Sequence, residues 1–199
     1  MRRSLQKGVV LLLLLLVTAM SLEQDMAVPI STQYPLFLKI LTYDRNIEAR
    51  APDEIVIGVV YQSRFRESNS AKDEFLRVAA SFPIRPEVNG IPVRCVPIEI
   101  GDGNDLALSM QKHGVNVLYV TPLRKLDISA IAATSQAQQA ITLTGVPEYV
   151  EAGLAVGIVL KKDRKPGILI NLPASKAEGA QFSAPLLKVA TVIRKGGAE

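Results

Sequence analysis

The chain has 199 residues, with 23 Lys+Arg against 19 Asp+Glu and a formal charge of +4. Three of the basic residues, Arg2, Arg3 and Lys7, precede the six leucines Leu11 to Leu16, so most of the excess sits at the start. Aromatics are only 5% of the chain and Trp is absent, which leaves no basic stretch interleaved with aromatics and excludes a nucleic-acid partner.

A basic start, a short apolar run and then small residues is the pattern of an export signal. The apolar run is too short for the ~20 residues that span a bilayer. Ala19 and Ser21 place cleavage after Ser21. Residues 1–21 are thus read as a signal peptide and 22–199 as one domain. The remaining 178 residues carry 20 basic and 19 acidic groups, a near-neutral exported protein that can bury roughly 70% of its unfolded surface. The sole cysteine, Cys95, allows no internal disulfide. No cysteine follows the signal to carry a lipid.

From Ser31 to Tyr43, Tyr34, Phe37, Leu38 and Leu41 recur at helical spacing, and Pro35 fits only near the first turn. Ile55 to Tyr61 reads as a buried strand. Ser68, Asn69 or Ser70 is expected to cap the next helix, which carries Phe75, Leu76 and Ala79 and stops before Pro83. Val93 to Ile100 is a second strand, and its alternation makes Cys95 a core thiol. A turn at Gly101 to Asn104 leads to a short helix ending at His113-Gly114. Val115 to Val120, a helix from about Arg124 to Gln136, and the strand Ala140 to Thr144 follow. Strands without polar alternation, separated by helices, indicate a parallel sheet covered on both faces. Leu154 to Leu160 and Ile168 to Leu172 then read as an antiparallel hairpin around the polar segment 161–167. Two short helices close the chain. One runs from Pro173 to Glu178 and ends at Gly179, a left-handed cap. The other is capped by Ser183, with Leu186, Leu187, Ala190 and Ile193 inward. The expected fold is α/β: a mostly parallel central sheet with helices on both faces, Rossmann-like, resembling one lobe of a periplasmic binding protein, with a C-terminal hairpin and two helices.

Catalytic chemistry finds no support. His113 is the only histidine, and its place at a helix C-terminus suits a cap. Neither G-x-S-x-G nor a phosphate-binding glycine motif occurs. Gly101-Asp102-Gly103-Asn104-Asp105 fails as an EF-hand because position 12 from Asp102 is His113; Asn104 is instead read as a helix N-cap. No metal, cofactor or catalytic residue is assigned. Ligands of parallel sheets bind beyond the strands' carboxyl ends, which here offer Arg64, Asp102, Thr121 and Thr144. Glu148, Tyr149 and Glu151 are the candidate partner contacts.

Five stretches carry a resemblance: Leu38 to Asn46 with its Asp44-Arg45-Asn46 ending, Gly153 to Gly157, Lys165 to Leu172 with its Ile-Asn-Leu, Lys176-Ala-Glu178-Gly179, and Phe182 to Leu187 with its Leu-Leu. Together, over about residues 30–194, they resemble the YfiR-like family of periplasmic proteins. The resemblance implies a non-enzymatic periplasmic regulator, soluble after signal cleavage, that represses an inner-membrane partner by contacting its periplasmic domain. That partner would be a diguanylate cyclase or a sensor kinase, with cyclic di-GMP and biofilm as the output. The alternative is a periplasmic solute-binding module with its site at the strand ends. A small ligand and a homodimer stay open.

Overall fold

The computed structural model describes residues 26–82, 84–101 and 105–194. The signal read over residues 1–21, and Asp102 and Asn104, fall outside them. Helix α1 (Ile30–Leu41) turns Ile30, Tyr34, Phe37, Ile40 and Leu41 inward, as its spacing requires. Pro35 lies past the first turn, on the exposed side, where its missing N–H leaves one helical bond unmade without burying the orphaned carbonyl. A single turn, α2 (Ile47–Arg50), leads into β1 (Ile55–Tyr61), whose bounds are those expected. Helix α3 (Arg66–Ala80) crosses to β2 (Glu87–Val88) and β3 (Ile91–Glu99). The alternation then continues through α4 (Leu106–His113), β4 (Val117–Val120), α5 (Ile128–Ala137), β5 (Ile141–Thr144) and the short α6 (Pro147–Glu151). The hairpin is β6 (Val156–Leu160) and β7 (Pro166–Asn171), followed by α7 (Leu172–Ala177), α8 (Ala184–Val189) and β8 (Thr191–Ile193).

Among the described residues the strands form one eight-stranded sheet in the order β2-β3-β1-β4-β5-β6-β7-β8. Strands β3, β1, β4, β5 and β6 are mutually parallel, whereas β7 runs antiparallel to β6. The expected α/β class and hairpin are therefore present. Alternate residues of each central strand enter opposite cores. Ile55, Ile57, Val59, Val117 and Tyr119 face the layer of α1, α3 and α8, and pack on Phe37, Phe75 and Leu186. Val56, Val60, Leu118 and Val120 face α4, α5 and α6, and pack on Met110, Ile131 and Tyr149. Each such buried aliphatic or aromatic side chain contributes about 1.5–3 kcal/mol. Full burial on both faces is why these strands carry no polar alternation.

Several elements differ from expectation. Strand β2 pairs antiparallel with β3 through Asn89-Gly90, both at positive φ (52° and 83°), the geometry of a tight hairpin turn. Helix α3 starts at Arg66 with no side-chain cap; Ser68 is buried inside its first turn. The cap of α4 is Asp105, whose carboxylate accepts the Leu108 N–H, in place of Asn104. Asp127 caps α5, so that helix begins later than expected. The last helix ends at Val189, because Ala190 is extended (ψ 151°). The β-branched Thr191-Val192-Ile193 then joins the sheet beside β7. His113 and Gly114 do end α4, with Gly114 left-handed at φ 66°.

Candidate functional site

The chain leaves β1 for β3 on one side and later returns to β4 on the other side of β1. Loops diverge at such a switch point and leave a crevice. Here the crevice is a cavity of about 350 Å³, lined by Gln62, Ser63, Arg64, Glu99, Arg124 and Lys125 among others. Arg64, Arg124 and Lys125 are exposed and place three cations around its mouth. Lys125 holds φ at 55°, a left-handed conformation uncommon outside glycine. The Ser63 hydroxyl donates to the Glu99 carboxylate.

A chain of side chains fixes the crevice floor. The Gln62 side chain spans to the β4–α5 loop, accepting from the Arg124 N–H at 2.7 Å and donating to the Arg124 carbonyl at 3.2 Å. The Gln62 backbone N–H donates to Ser68 Oγ (2.9 Å), which lies 2.7 Å from Thr121 Oγ1. Thr121 Oγ1 donates in turn to the Val60 carbonyl at 2.8 Å. Thr144 Oγ1 donates to the Val120 carbonyl and accepts from the Val146 N–H. The Tyr149 hydroxyl grips both backbone groups of Leu123 at 2.7 and 3.2 Å.

Of the four residues expected to meet a ligand, Arg64 lines the crevice and Asp102 lies outside the described residues. Thr121 and Thr144 are wholly buried with their hydroxyls engaged and do not reach the mouth; Thr121 braces Gln62 through Ser68, and Thr144 ties the end of β5 to β4. Tyr149 is likewise buried, which removes it from any partner surface and makes it a clamp on the loop that carries Arg124 and Lys125. Glu148 and Glu151 are exposed on α6. Arg124 and Lys125 were not among the expected ligand contacts, and Ser68, expected as a helix cap, instead accepts the Gln62 N–H. The signal for Arg124 and Lys125 was their place in the loop after β4, beyond the carboxyl end of a parallel strand. Cys95 is half-buried. It packs against the edge of the core and not, as expected, inside it; burial pushes its thiol up to about 11, opposed by a hydrogen bond with Tyr34.

A second polar cluster joins two of the motifs that carried the resemblance. Asp44 Oδ1 accepts the N–H groups of Asn46 (3.1 Å) and Gln181 (2.7 Å). Asn46 Nδ2 donates to the Gly179 carbonyl at 2.9 Å. Glu178, fully buried, accepts the Thr142 N–H at 2.8 Å and the Thr142 hydroxyl at 2.7 Å. Thr142 Oγ1 also accepts the Ala155 N–H, so one carboxyl ties the end of α7 to β5 and the start of β6. Arg50 Nε stands 3.8 Å from Asp44 Oδ2, both side chains being at least nine-tenths buried. Burial pushes Glu178 up to about 8, while the Thr142 hydrogen bonds and Arg50 act in the opposite direction. Burial likewise lowers Arg50, against Asp44 and Glu178.

Gly179 completes this cluster at φ 77°, where a Cβ would stand 2.4 Å from Gln139 Oε1. The Gln139 amide is held by the carbonyls of Gln136 and Ala177, so it yields only by breaking bonds. Replacing Gly179 by valine should therefore lower stability by about 1–3 kcal/mol. A urea midpoint equal to that of the parent would contradict this placement.

Among the described residues no group of three or more His, Cys, Asp or Glu is arranged to hold a metal ion. No helix among them is long and apolar enough to cross a membrane.

The family model for YfiR/HmsC-like proteins matches residues 37–191. No curated protein matches the chain. Among solved structures, the ABC domain in complex with L-Trp from Streptococcus pneumonia is similar at 16% identity and a TM-score of 0.56, over 83% of this chain and 60% of that one. A conserved domain protein from Vibrio cholerae is similar at 15% identity and a TM-score of 0.51, over 82% and 60%. The ligand-free, open structure of a substrate binding protein with adhesive properties from Clostridium difficile gives 17% and 0.53, over 75% and 57%. The chain thus spans about 60% of the length of these proteins, and the likeness is one of fold.

Proposed function

The chain belongs to the YfiR/HmsC-like family, and from that premise we propose that it is a non-enzymatic regulator acting in the periplasm on cyclic di-GMP signalling. It binds the periplasmic part of an inner-membrane protein, a diguanylate cyclase or a sensor kinase, and represses it by favouring one of its two states. The observation that carries this reading is the family match over residues 37–191. The contact between the Asp44-Arg45-Asn46 and Glu178-Gly179 motifs supports it, since two of the stretches that carried the resemblance meet in one polar cluster. The exposed Glu148 and Glu151 are the proposed partner contacts. Deleting the gene should raise cellular cyclic di-GMP and biofilm; unchanged levels together with unchanged output of neighbouring sensors would defeat the reading.

One observation favours a second reading, in which the crevice binds a small solute. The switch-point cavity carries Arg64, Arg124 and Lys125 on a floor braced by Gln62, Ser68 and Thr121, which suits a carboxylate or phosphate group. A thermal-shift series with small carboxylates and phosphates should then show stabilisation by mass action. Changing Arg64, Arg124 and Lys125 together to glutamine should abolish the shift. An equal shift in that variant would place the anion elsewhere.

A further inference from the structure

The polar segment between β6 and β7 is more than a connection. Thr144 at the end of β5 pairs with Gly157, yet β6 continues to Leu160. The hairpin therefore projects three residues past its neighbour, roughly 10 Å. Its tip is Lys161-Lys162-Asp163-Arg164-Lys165, exposed at every position, with four cations to one carboxylate.

The tip is ordered. The Lys161 N–H donates to the Lys165 carbonyl and the Arg164 N–H to the Lys161 carbonyl, both at 2.9 Å. Arg164 occupies the left-handed position of the turn at φ 61°, where glycine is the usual residue. Asp163 accepts the Lys165 N–H and lies 3.7 Å from Lys165 Nζ, so its charge is spent within the turn. The stem of Lys161 lies across the bare backbone of Gly167. Directly below the charges, Leu160 and Pro166 pair across the strands and both are exposed.

We propose that this arm docks the protein on the surface of a membrane rich in anionic phospholipid. The chemistry it meets is the phosphodiester headgroup. Long flexible cations at the far end of the arm reach the headgroup layer first, so the contact is electrostatic. Four cations in line with the surface potential of anionic lipid supply the attraction. The cations stand on a convex tip, which suits mobile headgroups better than the fixed relief of an acidic protein. On the partner reading the arm would hold the regulator at the face of the inner membrane; vesicle binding is independent of that reading and can hold where it fails.

The test is co-sedimentation of the protein recovered from the periplasm with vesicles of phosphatidylglycerol and phosphatidylcholine at 3:7, or of phosphatidylcholine alone. Binding should require phosphatidylglycerol and weaken steeply with salt. Changing Lys161, Lys162, Arg164 and Lys165 together to glutamine should lower it about 30-fold or more. The charge-preserving variant Lys161→Arg, Lys162→Arg, Lys165→Arg should bind as the parent does, which controls for folding. Absence of binding, equal binding to neutral vesicles, or undiminished binding after the four glutamine changes would overturn the proposal. So would loss of a purified acidic partner by the glutamine variant with vesicle binding intact.

Discussion

Replacing Glu178 by leucine is expected to destabilise the protein by about 2–5 kcal/mol, the cost of leaving two buried donors unpaired. The donors are the N–H and hydroxyl of Thr142, both bonded to this carboxyl. The apolar side chain fills the space but accepts neither. Glutamine keeps one carbonyl acceptor, so Glu178→Gln should cost less. The same residue makes stability depend on pH with a definite sign. Its ordinary value is 4.5 and burial in the fold raises it to about 8. The unfolded chain ionises first as pH rises, so the contribution is complete below about 4.5 and is lost progressively as pH approaches 8. Urea midpoints measured at pH 5 and pH 8.5 should fall between the two in the parent, and the fall should be largely absent in Glu178→Gln. Equal slopes in both proteins would mean that Glu178 titrates normally and is not sealed.

Phe75→Ala should cost about 3–5 kcal/mol, the range for deleting a fully buried aromatic ring. Phe75 stacks on Tyr119 with centroids 4.1 Å apart and takes the edge of Tyr34 at 5.2 Å. Tyr119 also meets Phe37 at 5.8 Å. These rings join α1, α3 and the centre of the sheet, so the vacated volume cannot be closed by moving one element. Phe75→Leu, which refills most of the vacated volume, should recover much of the loss. Equilibrium unfolding in urea reads both, and an alanine effect below about 1 kcal/mol would show that the site collapses freely.

Much of the architecture was legible. The apolar run from Ile55 to Tyr61 has no alternative to a doubly covered strand, and its bounds came out unchanged. Gly114 and Gly179 stand where left-handed residues end helices, so glycine marked both stops. Strand β2 was missed because two paired residues are too few for a periodic signal, although Asn89-Gly90 is itself a hairpin dipeptide. The end of the chain was misjudged for a related reason. Leu186 and Ile193 share a helical spacing, but the β-branched Thr191 to Ile193 obeys the sheet edge that β7 presents. At the site, chain position distinguished strand ends from strand middles but not floor from mouth. Thr121 and Thr144 follow or end their strands much as Arg64 does, yet their short side chains bond back to the Val60 and Val120 carbonyls, whereas arginine reaches outward. The Asp44–Glu178 cluster brings together residues far apart in sequence, and no local pattern announces such a pairing.

The central proposal is repression of a membrane signalling protein from its periplasmic side. The most direct measurement reconstitutes in vesicles a membrane diguanylate cyclase of the same organism that carries a periplasmic domain, titrates this protein against that domain, and follows conversion of GTP to cyclic di-GMP. Turnover should fall saturably as the protein is added, and less steeply when Glu148 and Glu151 are both changed to lysine. Turnover that stays constant at saturating protein would contradict it.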